Sequence, residues 1–437
     1  MARKVVKKKR RLKKRVRVGC ALLSAIPLLC FLWLLLRGLF SLPFFKATET
    51  KGSMLTHTSL SGSATTLSHR LDSLFSLPNR LDTATIAVEV YDIQSGQTLY
   101  SRHAHRLAPP ASCMKLITAV AAMRYMGFQQ PYLSTVSVSG EQTGATLHGT
   151  VCITIDDDPQ LESMEPLVEA LCRNGIRNID GDIQIRLTRP DTLKAHPTAA
   201  FWDIPYNRLP ITLKGSDRIL RDLQYLFTAK GINYSSDKLY LASSAPSSQK
   251  TFREIFRLET PLTDVLAPML IHSSNIKADA LFQHMERIAV RVPLADFGES
   301  RWLLPLLSQV EGYRSDFVIN DGSGLSPDNR LTAHFLVGLL RYAYDREPMR
   351  NVLIDEALAT PAHPIRHGSL LGRMRAPEYR NRIFVKTGTL TTIGLSSLAG
   401  YAQTSDGRWL IFSIINEDSP VAESRMFQDR LCREFVK

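Results

Sequence analysis

Cysteine is scarce in this chain, six in 437 residues, and that scarcity excludes a disulfide-dense scaffold. Cys20 and Cys30 fall in an apolar N-terminal run, and the spacing of Cys113, Cys152, Cys172 and Cys432 matches no zinc site. A Cys152–Cys172 bridge is open to an oxidising compartment, but four separate buried thiols are the reading adopted. Acidic residues are absent from positions 1–17, which hold eleven of the Lys and Arg behind a net charge of +13. The rest of the chain is left at +2, too close to neutral for a nucleic-acid binder. Charge of either sign is absent from 18–36, nineteen residues from Val18 to Leu36. At about 1.5 Å per residue this run covers the roughly 30 Å of a hydrocarbon layer, and it is expected to be a transmembrane anchor with its basic end in the cytoplasm. An A-x-A-like cleavage site is also lacking after it, so the segment is read as uncleaved. The run Asp156-Asp157-Asp158-Pro159 does not make a metal site, since adjacent carboxylates point apart; it is read as a solvated turn. Neither a metal nor a cofactor is expected.

What is present describes a globular body. Apolar residues make up 44% and charged residues 22% of a chain too long for one compact domain. The stretch 37–67 reads as a linker, its part from Lys46 to Leu67 rich in Ser, Thr and Gly, and folding is expected to begin at Ser68. Residues 70–77 predict a short helix. Ile86, Val88 and Val90 alternate in a strand over 85–91, which turns at Ser95-Gly96 into a second strand over 97–101. Residues 116–123 are apolar nearly all round and stop at Gly127, as a buried central helix does. Between 130 and 252 short strands (133–138, 145–155, 183–187, 238–241) mix with helices over 162–174 and 216–230, which predicts an inserted α/β subdomain. There follow a strand over 252–258 and a helix with Thr260 as its cap and Pro261 at its first position. Helices over 276–287 and 332–344, a strand over 382–389, a hairpin of 395–403 with 408–415, and an amphipathic helix over 421–435 complete the chain. Strands at both ends with helices between predict one sheet made by the two ends of the folded region.

Ser112-Cys113-Met114-Lys115 stands where a loop becomes the buried helix. One helical turn brings Lys115 onto the face of Ser112, a nucleophile beside a base with no histidine required. Alone, S-x-x-K is an ordinary N-cap near an ordinary lysine. It is followed, however, by Ser273-Ser274-Asn275 and then by Lys386-Thr387-Gly388. In that order the three motifs resemble the signature of the penicillin-binding serine acyltransferases. The chain is most similar to the low-molecular-mass class C group, the D-alanyl-D-alanine carboxypeptidases and endopeptidases. Asp321-Gly322-Ser323-Gly324-Leu325-Ser326, the stretch Leu398-Ala399-Gly400-Tyr401 and the large insertion extend the likeness over 68–435.

The resemblance implies an α+β fold: a β-lactamase/DD-peptidase-like domain with an antiparallel sheet and a helical part, carrying the insertion and preceded by the anchor. Its expected parts are a cytoplasmic segment 1–17, the anchor 18–36, the linker 37–67, the penicillin-binding domain at 68–129 and 253–437, and the insertion at 130–252. It implies a serine DD-peptidase of a bacterial inner membrane, its catalytic domain on the outer side, cutting peptidoglycan stem peptides and inhibited by β-lactams. Ser112 would attack and Lys115, kept neutral by burial and by the Lys386 cation, would take its proton. By the same resemblance Ser273 relays that proton to the leaving amine and Asn275 orients Lys115. Lys386 and Thr387 would bind the terminal carboxylate, and Gly388 would leave the strand edge clear for substrate. The N–H groups of Ser112 and Thr389 would form an oxyanion hole worth about 3 kcal/mol per donor. Loop 321–326 is read as a structural turn and His272 as a packing or hydrogen-bonding histidine. Asp156-Asp157 stand where the family commonly has glycines, and 189–207 looks abbreviated. A serine β-lactamase and a non-catalytic peptidoglycan-binding scaffold are the rival readings. No glutamate can be placed to activate a deacylating water, and the intact motifs speak against a scaffold.

Overall fold

Alternating apolar residues near the two ends of the described chain build one sheet between them. The computed structural model describes residues 58–77, 81–128, 130–188, 209–242, 251–289 and 301–437. The expected anchor, its basic flank and the region 189–207 lie outside the described residues. Among those described, no helix is long and apolar enough to cross a membrane.

Helix α1 (Thr58–Ser76) leads to strands β1 (Ile86–Asp92) and β2 (Gln97–Arg102), then to α2 (Met114–Tyr125). Next come β3 (Tyr132–Thr143), β4 (Thr146–Ile155), α3 (Glu165–Arg173), β5 (Asn178–Ile179), β6 (Ile183–Leu187), α4 (Ser216–Lys230), β7 (Leu239–Leu241) and β8 (Arg253–Thr260). The chain ends with α5 (Leu262–Ile271), α6 (Asn275–Ala289), α7 (Ala333–Tyr344), β9 (Ile383–Leu390), β10 (Leu395–Gln403), β11 (Trp409–Asn416) and α8 (Val421–Phe435).

Every residue of β1 is buried, because helices cover both faces of its sheet. Ile86, Val88 and Val90 pack with Leu71 of α1 and Phe427, Leu431 and Phe435 of α8. Ala87 and Tyr91, on the opposite face, join the core around α2 and α7. The antiparallel order β2-β1-β11-β10-β9 sets Asn416 opposite both Ile86 and Ser396. The two ends of the domain thus meet at the centre of the sheet, and β9 is left as an edge. Helix α1 starts at Thr58, well inside the expected linker. Leu67 and Leu71, four residues apart, share one apolar stripe against the sheet.

The inserted region forms a second sheet, β7-β6-β4-β3-β8, with β5 paired to β4. β3 is antiparallel to β4 and β8, whereas β4, β6 and β7 run parallel. Its core gathers Val136, Ile153, Leu167 of α3 and Phe227 of α4. β8 pairs along β3 up to Thr260, so the inserted sheet extends past the expected end at 252. Thr260 is not a helix cap: Pro261 stands at that position, and the Thr260 hydroxyl donates to Asp158 at 2.6 Å.

Nor is the acidic run a solvated turn. Asp157 and Asp158 are each 2% exposed. The Asp156 carboxylate accepts from Leu133 N–H and Thr188 Oγ1, both at 2.8 Å. Asp157 faces His284 Nδ1 at 3.3 Å and Arg287 Nη1 at 3.7 Å on α6. The three carboxylates diverge as adjacent residues must, but each meets a partner on another element: Asp156 and Asp158 within the inserted region, and Asp157 on α6, which joins the two. Cys113, Cys152 and Cys432 are buried and Cys172 is half-buried, all with free thiols.

Candidate active site

Ser112 occupies a tight 3-10 turn, Ala111–Cys113, immediately before α2 and not in its first turn. Ala111 takes a left-handed conformation with φ 46°, costly for a residue with a Cβ and held only by surrounding packing. That packing is close: a Cβ on Gly324 would sit 1.8 Å from the Ala111 carbonyl oxygen. Helix α2 then carries Lys115 inward. Its fully buried amine lies 3.0 Å from Ser112 Oγ, 2.7 Å from Asn275 Oδ1 and 2.6 Å from the Ser323 carbonyl oxygen. With two of these three neighbours being carbonyl-type acceptors, a neutral amine can donate to both and turn its lone pair to the Ser112 hydroxyl.

Ser273 also has a left-handed backbone, φ 57°, in the sharp corner between α5 and α6. The corner sends Ser273 and Asn275 to different lysines. Lys386 Nζ donates to Ser273 Oγ at 2.9 Å and to the Thr387 carbonyl at 2.7 Å. Lys386 is fully buried. Burial first, and then the charge of Lys115, pushes its pKa down to about 7. The expected repulsion between the two lysines is thus seen on Lys386.

The edge strand explains the other motif residues. Val385 exchanges both its backbone hydrogen bonds with Ala359, and a period of two turns the N–H and C=O of Thr387 and Thr389 to the same open edge. Thr389 N–H is therefore available as the expected oxyanion donor. Gly388 has a different reason from the one expected. Its Cβ would not obstruct the edge but would meet Ser397 Oγ at 2.1 Å and the Pro110 carbonyl at 2.9 Å. Glycine lets the strand close onto the turn that carries Ser112. Thr387 Oγ1 donates to Ser369 Oγ at 2.7 Å, and Thr389 Oγ1 accepts from Arg425 at 2.9 Å.

All eight expected residues therefore converge, from the turn before α2, α2 itself, the α5–α6 corner and β9. Three contributors were not foreseen. Ser369 and Arg425 carry no motif, and Ser323 acts through a backbone carbonyl, which its residue type does not announce. Loop 321–326 is the turn expected of it, its Asp321 carboxylate accepting from Gly324 N–H at 2.5 Å, Ser326 N–H at 2.6 Å and Asn329 Nδ2 at 3.2 Å. It also supplies the Ser323 oxygen to Lys115. His272 is exposed instead of packed.

Residues 67–200 and 213–432 match the model of the D-Ala-D-Ala carboxypeptidase 3 (S13) family. The chain belongs to this family. A carboxypeptidase of Mycobacterium tuberculosis is 26% identical over 387 residues, covering 79% of each chain. A D-alanyl-D-alanine carboxypeptidase of an Actinomadura species is 31% identical over 158 residues, 36% of this chain and 28% of the relative. That match thus spans under a third of the Actinomadura enzyme. Among solved structures, penicillin-binding protein 4 of Haemophilus influenzae superposes with a TM-score of 0.60 at 19% identity, over 86% of this chain and 99% of its own. A peptidoglycan endopeptidase of Bdellovibrio bacteriovorus, acylated by penicillin G, gives 0.52 at 15% identity over 80% and 89%. The S13 chain thus has the mixed α/β fold of penicillin-binding protein 4 and the β-lactamase-like DD-peptidases, within the low-molecular-mass class C group.

Proposed function

We propose that this S13 chain is a serine DD-peptidase that cuts D-alanyl peptides of peptidoglycan through an acyl-enzyme and is blocked by penicillin. The observation that carries the reading is Lys115 Nζ, 3.0 Å from Ser112 Oγ and held by Asn275 and Ser323. Ser112 Oγ loses its proton to Lys115 as it bonds to the carbonyl carbon of a D-alanine, whose bond to the following amine then breaks. The oxyanion turns to the N–H groups of Ser112 and Thr389. The proton reaches the leaving amine through Ser273, whose hydroxyl the Lys386 amine orients. Lys386 is turned inward and not to solvent, so the substrate carboxylate meets the Thr387 hydroxyl and the positive field behind it. Water then releases the acyl group.

We also infer that 18–36 anchors the chain in a bacterial inner membrane with the catalytic domain outside. The uncharged run and its basic flank support this, and it places the site beside its polymer.

Incubation of the detergent-solubilised chain with purified muropeptides, read by mass spectrometry, tests the function. Loss of one alanine marks a carboxypeptidase and cleavage of a crosslinked dimer an endopeptidase. Both should vanish with penicillin and in Ser112→Ala, which should also take no fluorescent penicillin. Rapid turnover of penicillin would instead make the chain a β-lactamase, and full activity of Ser112→Ala would end the acyl-enzyme reading.

A further inference from the structure

Asp279 follows Asn275 by one helical turn on the same face of α6. It is 6% exposed, and its Oδ1 meets no hydrogen-bond donor among the described residues. The charged groups that bear on it are Lys115 on α2 and Asp321 in the 321–326 loop. Lys386 and Cys113 also interact electrostatically with Lys115. Two buried carboxyls therefore accompany two buried lysines. Asp321 is engaged by three donors, whereas Asp279 keeps one oxygen unpaired. Burial and then the Asp321 charge raise the Asp279 carboxyl to about 7, against the pull of Lys115.

Such a group has no place in the proton path from Ser112 to the leaving amine. We propose that Asp279 is a positioning residue for acyl transfer: its carboxylate is the counter-charge that sets the basicity of Lys115. The inference rests on the Ser112–Lys115 reading of the reaction. As the Ser112 O–H bond breaks, its electron pair goes to the substrate carbon and its proton to Lys115. The ammonium so formed lies beside a second lysine, and Asp279 is the nearby group whose charge offsets it. Asp279 itself gains and loses no proton in the step.

The pH dependence of penicillin acylation, as kcat/KM for the adduct, separates this role from a structural one. In Asp279→Asn the counter-charge is gone and Lys115 gives up its proton more readily. The acid limb should move to lower pH by about one unit or more, and the plateau should fall several-fold because the base is weaker. Asp279→Ser removes the same charge from a smaller side chain and should shift the limb the same way. Thermal melting checks that both variants fold; should Asp279→Asn fail to, Asp279→Ser decides alone. Folded variants whose limb stays at the wild-type pH would overturn the proposal, whatever their rates. A wild type that takes no label at Ser112 would instead remove the reading beneath it.

Discussion

Lysine is a poor candidate for full burial, yet two lie side by side at this site, and the pH behaviour of each follows from its neighbours. Lys386 in the unfolded chain holds its proton to about pH 10.5, but in the folded one only to about 7. Between those values the unfolded state binds more protons, so stability rises with pH across the window. Below pH 7 the full cost of burying the ammonium is present. Lys386→Met removes that cost and should melt above the wild type at pH 6, with the gap narrowing by pH 9. A gap that does not change with pH would show that lost hydrogen bonds, not charge, govern the difference. His334 has the opposite sign. Its Nδ1 lies 2.8 Å from Glu89 Oε1, and that hydrogen bond, against burial, raises its pKa above the ordinary histidine value. The pair's contribution is therefore complete below about pH 6.5 and lost as pH rises through the raised value. His334→Gln should cost about 2 kcal/mol at pH 6 and little at pH 9, measured by denaturant titration at each pH.

At the scale of elements, the site is a meeting of three pieces at their ends: the turn before α2, the corner between α5 and α6, and the free edge of β9. Each uses a backbone feature that packing enforces. Ala111 and Ser273 are left-handed without being glycine, and Gly324 and Gly388 leave room where a methyl group would strike another segment. Gly388→Ala tests the contact between β9 and the Ser112 turn. Overpacking of this kind costs about 1–3 kcal/mol, and a strand displaced by around 1 Å lowers acylation by about 100-fold. Pairing it with Ser397→Gly, which removes the nearest clash at 2.1 Å, should restore part of both. Stopped-flow acylation and a melting curve on each variant would show it; an Ala variant with unchanged acylation would mean that β9 does not position the oxyanion donor. Gly388 stands on the expected strand, but what lies against it is the turn that carries Ser112, because a strand pattern tells which residues alternate but not what lies across from them.

For the whole molecule, the second sheet is not a loosely tethered addition. Asp157 reaches His284 and Arg287, and Lys277 meets Glu162 at 3.1 Å and the Pro159 carbonyl at 3.2 Å. Both contacts land on α6, the helix that begins with Asn275. The insertion is thereby braced on an element of the active site. An acidic run read alone favours solvent; burial of Asp157 at 2% exposure follows from basic partners more than a hundred residues later, which no local pattern contains.

By itself the sequence determined the three motifs and their order, the buried helix behind Ser112, the strand periods that join the two ends of the domain, and hence the family. These are local properties: residue type, spacing and alternation survive without the fold. Only the tertiary structure decided how the pieces face one another. Lys115 meets Asn275 across 160 residues and the Ser323 carbonyl across 208. A backbone oxygen, a free strand edge or the space beside a glycine has no letter of its own, so Ser323, Thr389 N–H and the clearance at Gly388 take their function from packing alone.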